Sequence, residues 1–302
     1  MNEKILLVDD EPDMLDILKE FLTEKGYMVS CAGNADAALA VMSKEPFDLL
    51  LSDINMPWKK GFDLLNEASS HYPRLKTALI TAYDVRDYIR LARDHNVGNI
   101  IAKTTPFNFA EVELLIRNIL SEEVFGLERY IGGEITTKHI AESGQIEPVL
   151  NTIVDAMPEP RHKRKFRQAT GEILINAVYY GAKKEQGDKK SEWKLDVTLK
   201  PDEEVIVSWG IDSEKAGVAV RDQKGRLEKN EVLYWLERNT TKGEDGISLG
   251  LFDQHGKGLY ISRETIDRFI INIKKNSMTE IVMLNYKENL YDGFRPLWIH
   301  EF

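Results

Sequence analysis

Five short apolar runs alternate with helical stretches over the first 120 residues, and this alternation limits the fold more than any other feature of the sequence. Apolar runs bounded by turn residues are typical of buried strands, and strands alternating with helices indicate a parallel sheet. We therefore predict an α/β, doubly wound, five-stranded parallel sheet with its site at the carboxyl ends of the strands. The predicted strands are Lys4–Val8, Met28–Cys31, Phe47–Leu51, Thr77–Ile80 and Asn99–Ala102, and the helices begin near Pro12, Ala35, Gly61, Val85 and Asn108.

Chemically related side chains follow four of these strands. They are the pair Asp9 and Asp10, then Asp53, Thr81 and Lys103. Carboxylates packed at one sheet edge repel by about 4 kcal/mol per close pair at an effective dielectric near 20, and a hard cation such as Mg²⁺ relieves this repulsion. Asp53 then becomes a nucleophile toward phosphorus, with Mg²⁺ and Lys103 neutralising charge and Thr81 donating a hydrogen bond.

These residues make the first 120 positions resemble the receiver domain of two-component response regulators, which has a flavodoxin-like fold. The resemblance implies that Asp53 is the phosphoacceptor and that a sensor histidine kinase is the phosphodonor. It also marks Thr81 as the switch threonine. The Mg²⁺ ligands that it implies are Asp9, Asp10, Asp53 and the backbone carbonyl of Asn55.

Two positions depart from the receiver pattern. The family usually has proline directly after the lysine, whereas here two threonines separate Lys103 from Pro106. The family's aromatic switch residue, three positions before the lysine, is Ile100 in this chain. These departures concern how phosphorylation is relayed rather than the phosphorylation chemistry.

Length and charge bound the rest of the chain. A chain of 302 residues suits two domains. The net charge of −10 argues against a nucleic-acid or anionic-membrane partner. A single cysteine, Cys31, fits a reducing compartment, and no apolar stretch approaches membrane-spanning length, so we expect a cytoplasmic protein. The predicted domains are 1–120, a helical joint at 121–144 with an amphipathic helix near 124–131, and a second domain at 145–302.

The second half carries a dispersed set of polar residues and glycines. Glu172 and Asn176 are four positions apart on a predicted helix and therefore project from one face. Asp222 follows the predicted strand 217–220, and Gly256 and Gly258 open another helix, where backbone N–H groups can approach phosphate. Further strands are predicted at 193–199, 205–209, 269–273 and 280–286.

In that order, these residues make positions 145–288 resemble the GHKL (Bergerat) ATPase superfamily, an α/β sandwich, and most closely the anti-sigma-factor serine kinases. The resemblance implies binding of ATP with Mg²⁺. Asn176 would be the Mg²⁺ ligand, Glu172 the base that activates the acceptor hydroxyl, and Asp222 the partner of the adenine amino group. Gly256 and Gly258 would line the phosphates, and Gly225 is a further implied nucleotide-binding residue. Leu227–His255 would be the mobile lid. The loop after Asp222 departs from the family, because it has one shifted glycine and brings in Lys224 and Arg226.

Two functions compete for this half. It is either a phosphorylation-controlled serine/threonine kinase acting on an anti-anti-sigma or sigma-factor-like protein, or a degenerate domain that sequesters such a partner without catalysis. A fused histidine kinase is disfavoured because His139 and His162 are not followed by an acid. A DNA-binding output is disfavoured by the charge and by the lack of a recognisable helix-turn-helix. The aromatic tail, 291–302, is expected to dock on a domain or a partner.

Overall fold

The computed structural model describes residues 3–121, 124–183, 196–251, 253, 256–288 and 293–302. They form two compact units. Unit 1 contains residues 3–121 and 293–298, and unit 2 contains residues 124–183, 196–251, 253, 256–288 and 299–302. Of the predicted joint at 121–144, residues 124–144 belong to unit 2. Within the described ranges, no helix has the length and apolar character needed to cross a membrane.

Unit 1 is built on a parallel sheet with the strand order β2-β1-β3-β4-β5. The order reverses between β1 and β3, which makes the sheet doubly wound and confirms the flavodoxin-like fold predicted for this part. The strands are β1 (Lys4–Val8), β2 (Met28–Ala32), β3 (Leu49–Asp53), β4 (Lys76–Thr81) and β5 (Asn99–Ala102). The helices are α1 (Pro12–Glu24), α2 (Ala35–Met42), α3 (Gly61–His71), α4 (Ile89–Asp94) and α5 (Phe109–Leu120).

The helices of unit 1 begin where local chemistry favours a start. Pro12 occupies the first turn of α1, where its missing N–H costs nothing. The side chain of Asn34 caps α2 by accepting a hydrogen bond from the Ala37 N–H at 2.9 Å. Asn108 caps α5 in the same way, accepting from the Glu111 N–H at 3.1 Å. These caps satisfy N–H groups that would otherwise lack partners.

The C-terminal tail completes the β5 edge of unit 1. Leu297 pairs antiparallel with Ile100 and Trp298 with Asn99. Trp298 is only 1% exposed, and Ile100 is fully buried. An open strand edge invites unwanted pairing, so this cover protects it. The tail was expected to dock on a domain or a partner, and within unit 1 it docks on the sheet.

Unit 2 contains an antiparallel sheet with the strand order β9-β10-β8-β7-β6. Helix α7 packs against α6 and α9, and it also contacts β8 and β10. The strands are β6 (Ile135–Ile140), β7 (Val205–Ile211), β8 (Lys215–Asp222), β9 (Arg268–Lys274), β10 (Met278–Tyr286) and β11 (Leu297–Glu301), of which only residues 299–301 belong to this unit. The helices are α6 (Ile146–Ala156), α7 (Pro160–Asn176), α8 (Lys229–Thr240) and α9 (Lys257–Thr265).

The segment 124–131 packs on the sheet of unit 2 but is not the amphipathic helix that we predicted. Its only helical part is a 3-10 turn, Leu127–Arg129. Val124, Leu127 and Ile131 are at most 2% exposed, so the apolar residues are buried as expected in a different backbone conformation. Gly217 makes room for this segment, since a Cβ there would lie 2.9 Å from the Ile131 side chain. The predicted strand 193–199 falls partly on residues 193–195, which lie outside the described residues.

A buried histidine in β11 should make unit 2 sensitive to acid. Burial lowers the pKa of His300 to about 3. Unfolded histidine titrates near 6.5, so the folded state is fully favoured above that pH and loses stability as pH falls toward 3. We expect the free energy of unfolding to be about 2 kcal/mol lower at pH 5 than at pH 8 because of this group. Urea titrations of His300→Gln should show a smaller pH dependence, whereas the exposed His71→Gln should match the parent.

Candidate functional site

The first candidate site lies at the carboxyl end of the unit 1 sheet. The whole of β3 is buried, and Asp53 at its end is 6% exposed. Lys103, which follows β5, places its Nζ 2.8 Å from Asp53 Oδ1 and 3.0 Å from Asp9 Oδ2. Thr81 ends β4 and is 1% exposed. The structure therefore brings together the residues Asp9, Asp53, Thr81 and Lys103, named here the receiver site.

Asp10 differs from these buried side chains in its exposure. Asp9 is 3% exposed, whereas Asp10 is exposed to solvent. In the part of the chain that the structure describes, no three His, Cys, Asp or Glu side chains are grouped closely enough to hold a metal ion. The ammonium group of Lys103 lies between the carboxylates of Asp9 and Asp53. The aspartates at this site offer only oxygen atoms as metal ligands, and Mg²⁺ prefers oxygen ligands.

Burial and charge compete at the receiver site. Burial raises the pKa of Asp53, and the hydrogen bonds from Lys103 and the Asn55 N–H only partly oppose this effect. Burial alone would lower the pKa of Lys103, but the two neighbouring carboxylates outweigh it and raise that pKa. The lysine therefore stays charged, and it can neutralise negative charge brought to Asp53.

Asn55 contacts the Asp53 carboxylate, and Thr81 ends the neighbouring strand. The backbone N–H of Asn55 donates to Asp53 Oδ2 at 2.5 Å. The side-chain Nδ2 of Asn55 donates to the Tyr88 hydroxyl at 2.6 Å. The hydroxyl of Thr81 accepts from the Tyr83 N–H at 3.1 Å. Sequence reasoning missed Tyr88, because its contact with Asn55 joins positions 33 residues apart.

The second candidate site is a cavity of about 960 Å³ within unit 2. Helices α7, α8 and α9 and strands β8 and β10 contribute to its walls. The cavity gathers every residue predicted for the second half, namely Glu172, Asn176, Asp222, Gly225, Gly256 and Gly258. These residues are spread over more than eighty positions of sequence, and a volume of this size suits a small-molecule ligand.

Asp222 ends β8 and is 6% exposed. Its Oδ1 accepts hydrogen bonds from the N–H groups of Lys224 at 2.9 Å and Gly225 at 3.0 Å. Burial raises its pKa, and these two hydrogen bonds oppose the rise. A Cβ at Gly181 would lie 2.9 Å from Asp222 Oδ2, so only glycine lets the π-helical segment that continues α7, Ala177–Ala182, approach so closely. Thr279, which sequence reasoning missed, stands directly opposite Asp222 on β10 and also lines the cavity.

Glu172 and Asn176 occupy the last turns of α7 and both line the cavity. Glu172 reaches the start of α9, because a Cβ at Gly258 would lie 2.4 Å from its Oε2. Gly256 caps α9 with a left-handed φ of +77°, a conformation that favours glycine. The acid on α7 and the glycine turn before α9 therefore form one wall.

The altered loop after Asp222 folds its cations against the protein. Lys224 forms an ion pair with Asp202 at 2.6 Å. Arg226 lines the cavity, and its Nη1 donates to the carbonyls of Gly181 and Ala182, both at 2.9 Å. Gly225 adopts a φ of +57°, and a Cβ there would lie 2.2 Å from the Lys274 carbonyl, so this shifted glycine is required by the turn.

The predicted lid, 227–255, contains α8 and the turn after it. Leu227, Glu231 and Trp235 line the cavity, and sequence reasoning had not singled out the last two. Burial raises the pKa of Glu231, and its hydrogen bond with Trp235 opposes that rise. A Cβ at Gly256 would lie 2.4 Å from the Trp235 ring, so the indole covers the glycine turn. Gln254 and His255 lie outside the described residues.

Comparisons with known proteins concern the first unit. Residues 5–117 match the family described as the response regulator receiver domain. The response regulator protein FleR of Pseudomonas aeruginosa is 33% identical over 123 residues, which cover 40% of this chain and 26% of FleR. Sporulation initiation phosphotransferase F of Bacillus subtilis is 30% identical over 120 residues, which cover 40% of this chain and 95% of that protein. The match therefore spans about a quarter of the first relative and nearly all of the second.

Solved structures give similar matches. The response regulator TrrA of Thermotoga maritima, solved in complex with Mg(2+)-BeF, is 31% identical with a TM-score of 0.36, covering 39% of this chain and 99% of that one. The chemotaxis protein CheY4 of Vibrio cholerae is 25% identical with a TM-score of 0.37, covering 40% of this chain and 100% of that one.

Proposed function

The chain belongs to the response regulators through its receiver domain, and from this premise we propose that phosphorylation of Asp53 controls an ATP-binding output domain in residues 145–302. The output domain is proposed to act on a partner protein of the anti-anti-sigma or sigma-factor-like kind. The observation that carries the proposal is the unit 2 cavity, which is lined by the acid, amide and glycines that the GHKL resemblance assigns to ATP binding.

In the receiver domain, Asp53 takes a phosphoryl group from a sensor histidine kinase. Asp9, Asp10, Asp53 and the carbonyl of Asn55 would hold Mg²⁺, which would neutralise charge on the transferred group. Lys103 already contacts Asp53, so it can follow the developing charge without a large movement. Thr81, one strand away from Asp53 in the sheet, donates its hydroxyl to the phosphoryl group.

In the output domain, we assign a role to each predicted cavity residue. Asp222 accepts from the adenine amino group at the sheet side of the cavity. Asn176 would hold Mg²⁺ beside the phosphates, and Glu172 accepts the proton of a hydroxyl that attacks the γ-phosphorus as its bond to the bridging oxygen breaks and ADP leaves. The phosphates are met by backbone N–H groups near Gly256 and Gly258 at the start of α9.

The second candidate function is a non-catalytic module that sequesters the same partner. The altered loop favours it, because Arg226 uses its guanidinium on the carbonyls of Gly181 and Ala182 rather than on a phosphate. The cavity wall carries the acids Glu172, Asp222, Glu228 and Glu231 against the cations Arg226, Lys257 and Lys275. This near balance of charge gives a bare triphosphate little attraction, so Mg²⁺ is expected to strengthen its binding.

Calorimetry on the full chain separates the two candidates. Titration with ATP in the presence of Mg²⁺ is expected to give saturable heat, and omitting Mg²⁺ is expected to weaken it. A silent titration would reject nucleotide binding and favour the sequestering module. If ATP binds, γ-labelled ATP with candidate partners tests transfer, and no labelled serine or threonine in either phosphorylation state would reject the kinase.

We further propose that the segment 124–131 links the two functions. The Gly126 N–H donates to Glu280 Oε2 at 2.9 Å, and Arg221 Nε lies 3.2 Å from Glu280 Oε1. Arg221 and Glu280 are directly opposite on β8 and β10, one position along from the pair Asp222 and Thr279. Alternate side chains of a strand point to opposite faces of the sheet. Arg221 and Glu280, which hold this segment, therefore lie on the face opposite to Asp222 and Thr279.

Glu280→Ala should destabilise unit 2 strongly. Glu280 is fully buried, and its loss leaves the Gly126 N–H without an acceptor and Arg221 without its partner. We expect the free energy of unfolding to fall by about 2–4 kcal/mol, with Arg221's partial exposure limiting the loss. Glu280→Gln keeps an acceptor oxygen and should lose less than half as much in urea titrations. Equal losses in the two variants would show that the carboxylate charge facing Arg221 matters and that the acceptor for the Gly126 N–H does not.

A further inference from the structure

We propose that Tyr88 is a positioning residue for phosphoryl transfer, which holds Asn55 against Asp53 and so ties the receiver site to the start of α4. The inference rests on the proposed role of Asp53 as phosphoacceptor. Its basis is a continuous chain of contacts from the Asp53 carboxylate to a residue 35 positions further along the sequence.

Asn55 is bonded at both of its donor groups. Its backbone N–H donates to Asp53 Oδ2 at 2.5 Å, and its side-chain Nδ2 donates to the Tyr88 hydroxyl at 2.6 Å. Asn55 follows directly on Ile54, which is 2% exposed and therefore fixed by packing. The position of the Asn55 N–H relative to Asp53 thus depends on the Asn55 side chain, which Tyr88 restrains.

Aromatic packing fixes the position of the Tyr88 hydroxyl. The Tyr88 ring stacks on Phe62, with centroids 6.3 Å apart and planes at 28°. Phe62 is 2% exposed in the first turn of α3, and its other neighbour is the ring of His95, with centroids 5.6 Å apart. Tyr88 ends a 3-10 turn that leads into α4, and His95 follows the last residue of that helix. Phe62 therefore holds both ends of α4 relative to α3.

The two oxygens of Asp53 have separate partners, and this gives the arrangement a chemical role. Oδ1 faces Lys103 at 2.8 Å, and Oδ2 accepts from Asn55. In the transfer, a carboxylate oxygen forms a bond to phosphorus while the bond from phosphorus to the donor breaks, and the donor leaves with that electron pair. The Asn55 N–H orients the carboxylate for this attack. Phosphorylation of Oδ1 changes the charge that Lys103 faces, and phosphorylation of Oδ2 changes the charge that Asn55 faces. Tyr88 carries the change at Asn55 to α4.

The variant Tyr88→Phe removes the hydroxyl and keeps the ring against Phe62. With acetyl phosphate and Mg²⁺ as the probe, we expect phosphorylation of the full chain to slow about tenfold, the effect of one hydrogen bond near the reacting group. Thermal unfolding should be unchanged, since the stacking remains. Tyr72→Phe, a half-buried tyrosine of the same unit outside this chain of contacts, is the matched control and should phosphorylate at the parent rate.

A double-mutant cycle with Asn55→Ala decides the route. If Tyr88 acts through the Asn55 side chain, Tyr88→Phe will have no further effect in the Asn55→Ala background. An undiminished tenfold effect in that background, or a parent rate in the single Tyr88→Phe variant, would overturn the inference. If the parent chain itself takes up no phosphoryl group, it is the proposed role of Asp53 that fails, and the two failures are thereby distinguished.

Discussion

Asp53→Asn is expected to abolish phosphoryl uptake from acetyl phosphate, by more than about 100-fold and to below detection. The carboxylate supplies the attacking oxygen, and an amide is a far weaker nucleophile. Each Asp53 oxygen already has a defined partner, Lys103 on one side and the Asn55 N–H on the other. An asparagine at this position would set an amide N–H₂ against one of these donors, so the ground state is disturbed as well.

The control for this variant is Asp48→Asn. Asp48 is an exposed acid of the same unit, and within the described residues its carboxylate accepts only from the Lys4 N–H, at 2.7 Å. Its replacement by asparagine should leave phosphoryl uptake unchanged. Intact-protein mass spectrometry measures the phosphoryl group directly, and chelation of Mg²⁺ should suppress uptake in the parent and the control alike. Persistent uptake by Asp53→Asn would assign the acceptor to another group, of which Asp9 is the nearest through Lys103.

The receiver site was predictable because one physical rule connects its parts. Residues that follow the strands of a parallel sheet meet at one edge, so the order of Asp9, Asp53, Thr81 and Lys103 already implied that they converge. What the sequence could not give is their separation. The lysine lies between two carboxylates, whereas Asp10 faces solvent although it is adjacent to Asp9. Neighbouring residues after a strand point in different directions, and the turn decides which of them enters the site.

Contacts between distant segments were the main features missed. The strand Ile135–Ile140 alternates poorly and is mostly exposed, so no hydrophobic period marked it as a strand. The segment 124–131 has helical spacing of apolar residues, yet apart from one 3-10 turn it is irregular, and its Gly126 N–H is bonded to Glu280, 154 positions away. The pairing of Leu297 with Ile100 likewise leaves no local signal.

The unit 2 cavity likewise contains some residues that the sequence could predict and others that it could not. Glu172 and Asn176 were predictable, since their spacing places both on one face of a helix. Thr279 was not, because its relevance comes from the register that sets it opposite Asp222. Trp235 was also missed, since an aromatic residue on an amphipathic helix is normally core, and only the closeness of its ring to Gly256 places it at the cavity.

Asp222→Asn is the variant with the largest expected effect on nucleotide binding. Asp222 Oδ1 accepts from two backbone N–H groups, those of Lys224 and Gly225. After the substitution these donors hold the amide oxygen in that place, so the N–H₂ takes the place of Oδ2, on the side of Gly181 in the cavity wall. It would then face the adenine amino group, donor against donor. We expect the Kd for ATP with Mg²⁺ to rise about 100-fold, or roughly 3 kcal/mol.

Calorimetry on the full chain measures this loss, and Asp202→Asn is the matched control. Asp202 forms an ion pair with Lys224 of the same loop, but its side chain is 71% exposed and it does not line the cavity. Its replacement should change the Kd less than about twofold, since exposed ion pairs contribute little. If both variants bind ATP like the parent, Asp222 does not bind the adenine amino group. The nucleotide would then have to lie elsewhere in the cavity, toward Trp235 and the start of α9, and the assignment of Glu172 and Asn176 to the phosphate end would fall with it.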